Sequence, residues 1–322
     1  MEKFWVKTGA RLHLGQLDLN GSLGRLYGGL GLAIDQPQLE IRAEKAGSLS
    51  LQSLCGEKKR LERIVKKYLE YYSLPGVKIE LVQSLPSHSG LGSGTQLSLA
   101  LGFAIAQIYE LHSSLTELAA ITDRESSRSG IGVAAFERGG FLIDGGKKES
   151  ELQSQDRFDV PPVLARIPFP EDWAIILVLP YQQEKMFGCK EENAFNSLLP
   201  MKEDISGKIC RLLLMKLLPG LVERDLEVFG EAVTDIQNYL GDYFAPVQGG
   251  QYASAQGSRV AEFLMSQGAV GIGQSSWGPT IFGFTNEEKK AELLVRTRGF
   301  VGDEGYVWLA SGRNKGASFG WI

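Results

Sequence analysis

Residues 86–102, PSHSGLGSGTQLSLALG, carry a glycine-rich turn directly into an apolar stretch, and this junction dictates what the rest of the chain must build around. Gly90, Gly92 and Gly94 omit side chains where a backbone must approach a ligand closely, and Ser93 and Thr95 place hydroxyls beside the amides. The apolar residues from Thr95 to Leu111 predict a buried helix whose N-terminal dipole and unpaired amides face the turn. Such a turn suits phosphate or pyrophosphate. A tight strand-to-helix connection that binds nothing has the same local wording.

Working outward, Val77–Val82 (VKIELV) predicts the strand that delivers the chain into the turn, and Glu57–Tyr72 predicts an amphipathic helix. The lysines, arginines and glutamates of that helix are read as its solvated side. Downstream, Ser114-Leu-Thr-Glu117 has capping-box spacing and starts a helix to about Arg128, with Asp123, Arg124, Glu125 and Arg128 in its last turns. A second glycine-dense segment, SGIGVAAFERGG, then leads to Phe141–Asp144. Toward the N-terminus, Phe4–Gly15 alternates. Val6, Ala10, Leu12 and Leu14 share one face, and Lys7, Arg11 and His13 the other. The basic face is either a solvated exterior or an anion contact. Arg25 and Tyr27 lie within a turn-rich stretch containing Gly21, Gly24, Gly28 and Gly29. Strands are predicted at Gly31–Asp35 and Leu39–Ala43, with a turn at Gln36-Pro37.

Pro161, Pro162, Pro168 and Pro170 mark the expected domain boundary, giving domains 1–165 and 166–322. Trp173–Pro180 predicts a strand buried on both faces. Helices are predicted at 203–218, 223–240, 258–267 and 287–298, a loop at 243–256, and a final strand at 306–310. Between them lies GAVGIGQSSWGPTIFGF, residues 268–284, with five glycines and two serines around Trp277.

The 322 residues are 43% hydrophobic, enough for two ordinary cores, and the net charge of −4 is spread along the chain. That pattern excludes a basic stripe for nucleic acid or a polybasic membrane surface. No signal peptide or membrane-length run is present, which predicts a cytoplasmic protein. Cys55, Cys189 and Cys210 are scattered and fit reduced thiols, and His112 fits a helix-end role.

Three separated glycine-rich segments make one site only if the chain folds back on itself. Their order and wording resemble the GHMP superfamily of small-molecule kinases. The first motif is matched by Ala10–Gly15 (ARLHLG) with Gly28–Ile34 (GGLGLAI), the second by Pro86 with Gly90-Leu91-Gly92-Ser93, and the third by Gly271-Ile272-Gly273 and its serine-rich continuation. The resemblance implies a two-domain α/β (α+β) protein, with a left-handed βαβ unit in the N-terminal domain, a ferredoxin-like C-terminal domain and a site in the cleft. Where kinases of this superfamily typically place a catalytic aspartate, after Ser-Gly-Ile, this chain has Gly132. Glycine accepts no proton.

The longer stretches ARLHLGQLDLNGSLGRLYGGLGLAID, RSGIGVAAFERGGFLIDGG and GIGQSSWGPTIFGF are similar to the β-ribofuranosylaminobenzene 5′-phosphate synthases of methanopterin biosynthesis. That resemblance implies condensation of phosphoribosyl pyrophosphate with p-aminobenzoate or p-hydroxybenzoate, releasing CO₂ and pyrophosphate without ATP. It also implies Mg²⁺, whose ligands stay open among Asp18, Glu125 and Asp144, and a homodimer. Under it, Gly90, Leu91, Gly92, Ser93, Gly94 and Thr95 are expected to hold pyrophosphate, with Arg11 and His13 as phosphate contact or weak acid. Arg128 and Arg138 are expected at the 5′-phosphate. Arg25 is expected at the benzoate carboxylate, and Tyr27, Gly28, Gly29, Gln274, Ser275, Ser276 and Trp277 around the ring. The alternatives are an ATP-dependent kinase of the superfamily, which needs another base, and a non-catalytic ligand sensor of the same fold.

Overall fold

The computed structural model describes residues 2–53, 57–122, 129–149, 160–181 and 197–322. Two long strands, β1 (Phe4–Asp18) and β2 (Arg25–Lys45), pair antiparallel along most of their length and form the spine of the first sheet. β3 (Ser50–Ser53) is joined through helix α1 (Lys58–Tyr71) to its parallel neighbour β4 (Val77–Gln83), a βαβ crossover. α2 (Ser93–Ile108), α3 (Leu115–Ile121) and α4 (Ile131–Glu137) follow. β5 (Phe141–Asp144), β6 (Lys147–Lys148) and β7 (Val163–Ile167) then extend the sheet. Leu97, Leu99, Ala100, Leu101, Ala104 and Ile105 bury α2 all round, as an apolar helix without a polar face must be.

The second sheet starts at β8 (Trp173–Pro180). α5 (Glu203–Leu212) runs through a π-helical turn at Leu213–Leu217 into α6 (Leu218–Glu223), followed by α7 (Leu226–Gln248) and α8 (Ala255–Ser266). β9 (Val270–Gln274), β10 (Ile281–Asn286), α9 (Lys290–Val301) and β11 (Gly305–Ser311) complete this half. The sheet order β11-β8-β10-β9, antiparallel throughout, is the ferredoxin-like arrangement. The last strand, β12 (Ser318–Trp321), returns to the first sheet beside β1.

Several local expectations change. β7 straddles the boundary expected at 165, and β12 follows the strand expected to be last. The predicted turn at Gln36-Pro37 is a bulge within one strand: Gly9 pairs with Gln38 and Arg11 with Ala33, so the unpaired residues, including a proline without an N–H, sit where the ladder is interrupted. α7 continues through Tyr243 and Phe244, where a loop was predicted, because its stop is the left-handed Gly249. The two halves share a core at Phe229 of α7, which packs against Phe141 of the first sheet and Trp173 and Phe284 of the second.

α2 also shows how closely its neighbours approach. A Cβ on Gly102 would lie 2.5 Å from Tyr68 Cζ, and the buried Tyr68 hydroxyl reaches the Ser98 and Leu118 carbonyls at 2.9 and 2.8 Å. In an open helix Gly→Ala stabilises by about 1 kcal/mol. Here Gly102→Ala is expected to destabilise by about 2 kcal/mol through overpacking, measured by urea unfolding.

Candidate functional site

The glycine turn leaves β4 and enters α2 through Gly90 and Gly92, both at positive φ (77° and 76°), which side-chain-bearing residues rarely adopt. Space is equally restrictive. A Cβ on Gly90 would lie 2.1 Å from the Ser275 carbonyl oxygen, and one on Gly92 2.9 Å from Arg11 Cγ. As the N-cap of α2, Gly92 offers no side-chain acceptor, so the first-turn amides of Ser93, Gly94 and Thr95 keep their donor capacity for a ligand. The result is an electropositive backbone cradle.

Hydrogen bonds bring the three glycine-rich segments to this cradle. The Gly90 carbonyl accepts from Arg11 Nη1 at 2.6 Å and from Ser275 Oγ at 2.7 Å. The Arg11 amide donates to the Leu91 carbonyl, the His13 amide to Ser275 Oγ at 3.0 Å, and the Ser276 amide to the His13 carbonyl. Gln237 of α7 ties the same elements from behind, donating to the Leu14 carbonyl at 2.6 Å and accepting from the Gln274 amide at 2.8 Å. Arg11 and Ser275 therefore shape the loop, whereas Ser275 was expected to touch substrate.

His13 differs from expectation. Burial, with the neighbouring Arg11 charge adding to it, lowers its pKa from 6.5 to about 3, so the imidazole is neutral near pH 7. In the ligand-free protein it therefore adds no positive charge of its own to the cradle.

Beside the cradle, the buried Asp144 organises the turn that faces Gly28 and Gly29. Its Oδ1 accepts from the Gly29 and Gly146 amides and its Oδ2 from Ser129 Oγ and the Gly130 amide, all at 2.9 Å. Burial raises its pKa against the lowering effect of those four donors. Arg25, expected at a benzoate carboxylate, donates Nε to the Gly145 carbonyl at 2.7 Å and Nη2 to the Gly146 carbonyl at 2.8 Å. Asp18 Oδ1 accepts from the Asn20 and Gly21 amides and from Ser206 Oγ. Among the described residues, no group of three or more His, Cys, Asp and Glu gathers where it could hold a metal.

Aromatic residues border the other side. Trp277 packs on Phe244 with ring centroids 4.7 Å apart, and the adjacent Tyr243 has its pKa raised by burial and by Tyr27. Phe244 was missed because its segment was predicted as loop. Gln274 is internal, accepting from the Ala253 amide at 2.7 Å, while Ser276 is exposed. Arg138 is exposed, pairs with Glu137, and stands at the opposite end of α4 from Gly132. Arg128, like Glu125, lies outside the described residues. A residue no pattern flagged, Arg60 of α1, reaches Ser93 at the start of α2. Gly132 packs against Thr95, where a Cβ would lie 3.0 Å from Thr95 Cγ2, and its carbonyl accepts from Gln96 Nε2.

A glycine cradle between two such sheets defines a class of protein. GHMP kinases N terminal domain matches residues 59–140 and GHMP kinases C terminal matches residues 217–299. The homoserine kinase of Cytophaga hutchinsonii superposes with a TM-score of 0.67 at 18% identity, covering 99% of this chain and 98% of its own. The β-ribofuranosylphenol 5′-phosphate synthase of Archaeoglobus fulgidus is 36% identical over 97% of each chain. That of Methanocaldococcus jannaschii is 36% identical over 92% of this chain and 95% of its own. The chain belongs to the GHMP superfamily and, within it, to the β-ribofuranosylphenol 5′-phosphate synthase family.

The His13 environment has a measurable consequence. Between about pH 6.5 and pH 3 the unfolded imidazole binds a proton and the folded one does not, so stability falls with acidification by about 1.4 kcal/mol per pH unit from this group. His13→Gln removes that slope. Urea unfolding of both proteins at pH 7, 6 and 5 should therefore show a wild-type loss that the variant lacks.

Proposed function

We propose that the chain joins C1 of phosphoribosyl pyrophosphate to the carboxyl-bearing ring carbon of p-hydroxybenzoate, releasing pyrophosphate and CO₂. The product is a β-ribofuranosylphenol 5′-phosphate, a step suited to methanopterin-type cofactor synthesis. The observation that carries this reading is an uncapped glycine turn at the start of α2 together with Gly132 where the kinase resemblance places an aspartate. An ATP-dependent kinase must deprotonate an alcohol; this reaction needs no such base. The name of the relatives favours the phenol product, so p-hydroxybenzoate takes precedence over p-aminobenzoate as acceptor.

The electron count requires nothing more. The C1–oxygen bond breaks with its pair leaving on pyrophosphate, the ring π-electrons form the C1–carbon bond, and the pair of the ring–carboxylate bond restores aromaticity as CO₂ departs. A para hydroxyl donates electron density to the ring carbon under attack. The chain's part is to hold the donor, face the ring toward C1, exclude water and stabilise charge on the leaving group. Preorganised donors aimed at such charge are each worth roughly 3–4 kcal/mol.

In this proposal the amides of Gly92 to Thr95 receive pyrophosphate oxygens, and Trp277, Phe244 and Tyr27 border the acceptor ring. Arg11 and Arg25 act by holding the two loops in shape. Mg²⁺ enters as counter-ion of the donor's pyrophosphate, since Asp144 and Asp18 are already engaged by protein donors and Mg²⁺ commonly keeps several waters on phosphate-bound sites. A cytoplasmic homodimer belongs to the same proposal; among the described residues no helix is long and apolar enough to cross a membrane.

The test is pyrophosphate release from phosphoribosyl pyrophosphate and Mg²⁺, with carboxyl-labelled p-hydroxybenzoate or p-aminobenzoate and an ATP control. Equimolar pyrophosphate and labelled CO₂, dependent on the aromatic acid, are expected. ATP turnover on a small alcohol without either product would establish the kinase instead. In the same assay Gly92→Ala, strained at its φ and crowded by Arg11, should lower kcat/KM by about 100-fold, the scale of losing a charge-stabilising donor.

A further inference from the structure

Arg11 and Arg25 give their guanidinium groups to backbone carbonyls, and those bonds cannot be exchanged for ligand bonds without opening the loops they hold. Arg60 is bound differently. It stands in the first turn of α1, its side chain only 19% exposed, and its partners are side-chain oxygens. Nη1 donates to Glu57 Oε2 at 3.1 Å and to Ser87 Oγ, and Nη2 to Ser93 Oγ at 3.3 Å. Glu57 in turn accepts from the hydroxyls of Ser87 and Ser84. Side-chain oxygens rotate away at small cost. Ser93 is also the first residue of α2, so the guanidinium contacts a side chain at the start of the cradle helix.

The charge balance of the cradle makes this position significant. His13 is neutral, Arg11 lies against Gly92 but is committed through Nη1 to the Gly90 carbonyl, Arg138 is paired and exposed at the far end of α4, and Arg25 grips the Gly145–Gly146 turn. We propose that Arg60 is the exchangeable cation of the cradle: when pyrophosphate binds, its planar fork leaves Ser93 and Glu57 for phosphate oxygens, and Glu57 tunes affinity by holding the guanidinium meanwhile. Arginine suits this role because its fork matches phosphate geometry and stays charged throughout. The inference rests on the reading that pyrophosphate occupies the cradle, and it adds a residue that charge patterning assigned to the solvent face of a helix.

The sign of two substitutions separates this role from a structural one. If the Glu57–Arg60 pair only braces the loop, removing either partner weakens anion binding. If Arg60 binds the anion, removing Glu57 frees a cation and removes a repulsive carboxylate, so the effects are opposite.

The experiment is calorimetric titration of the full-length protein with inorganic pyrophosphate and Mg²⁺ at low and high KCl. It compares wild type, Arg60→Gln, Glu57→Gln and the exposed charge control Arg296→Gln, with thermal unfolding to verify folding. Arg60→Gln should weaken binding about 10-fold or more and flatten its salt dependence, Glu57→Gln should tighten it about 2- to 5-fold, and Arg296→Gln should stay within about 2-fold. Arg60→Gln within about 2-fold of wild type, or both pair variants weakening together, overturns the assignment while the transferase reading stands. Absence of pyrophosphate binding by the wild type overturns the transferase reading itself, and the role of Arg60 with it.

Discussion

The Gly90 carbonyl accepts hydrogen bonds from Arg11 and Ser275, side chains 79 and 185 positions away along the chain. Both donors reach it because no side chain intervenes: a Cβ at Gly90 would collide with the Ser275 backbone. This contact fixes β1, the glycine loop and the β9–β10 turn relative to one another. Everything proposed for the site, from the direction of the α2 amides to the placement of Trp277, depends on that registration.

Two buried polar networks keep the registration rigid. In one, Asp144 gathers amides from Gly29, Gly130 and Gly146 and so ties the start of α4 to β2. In the other, Arg313, on the segment returning toward β12, donates to Thr8 Oγ1 and the Ala135 carbonyl. Thr8 donates to Gln96, and Gln96 to the Gly132 carbonyl. Burial lowers the Arg313 pKa to about 10, with Asp35 opposing the shift, and it remains charged at neutral pH. Such networks stabilise one arrangement because breaking any single partner leaves a buried polar group unsatisfied.

A scaffold shared with kinases thus accommodates chemistry without a kinase base. At position 132 the backbone of α4 lies against Thr95, and its carbonyl is engaged by Gln96. What the scaffold retains is a helix start whose first-turn amides have no side-chain cap. For the reaction proposed above, whose main demand is the departure of pyrophosphate, that preorganised field is the useful part.

The sequence by itself determined the family, the glycine turn and the strand and helix on either side of it. Those depend on local rules: left-handed glycines at Gly90 and Gly92, an apolar run too uniform for a surface helix in α2, and a capping box at Ser114 that the structure reproduces, with Ser114 Oγ accepting from the Glu117 amide. Only the tertiary structure decided which polar side chains are available to a ligand. Arg25 and Ser275 looked like substrate contacts and became loop braces, His13 looked basic and is neutral by burial, and Arg60 looked solvated and lies at the cradle. The physical reason is that a charge or hydroxyl takes its role from the groups brought against it, and here those groups come from distant segments. The returning strand β12 and the helical Phe244 were hidden for a related reason: short or turn-like wording is overridden when the rest of the fold supplies an edge to pair with or a ring to pack on.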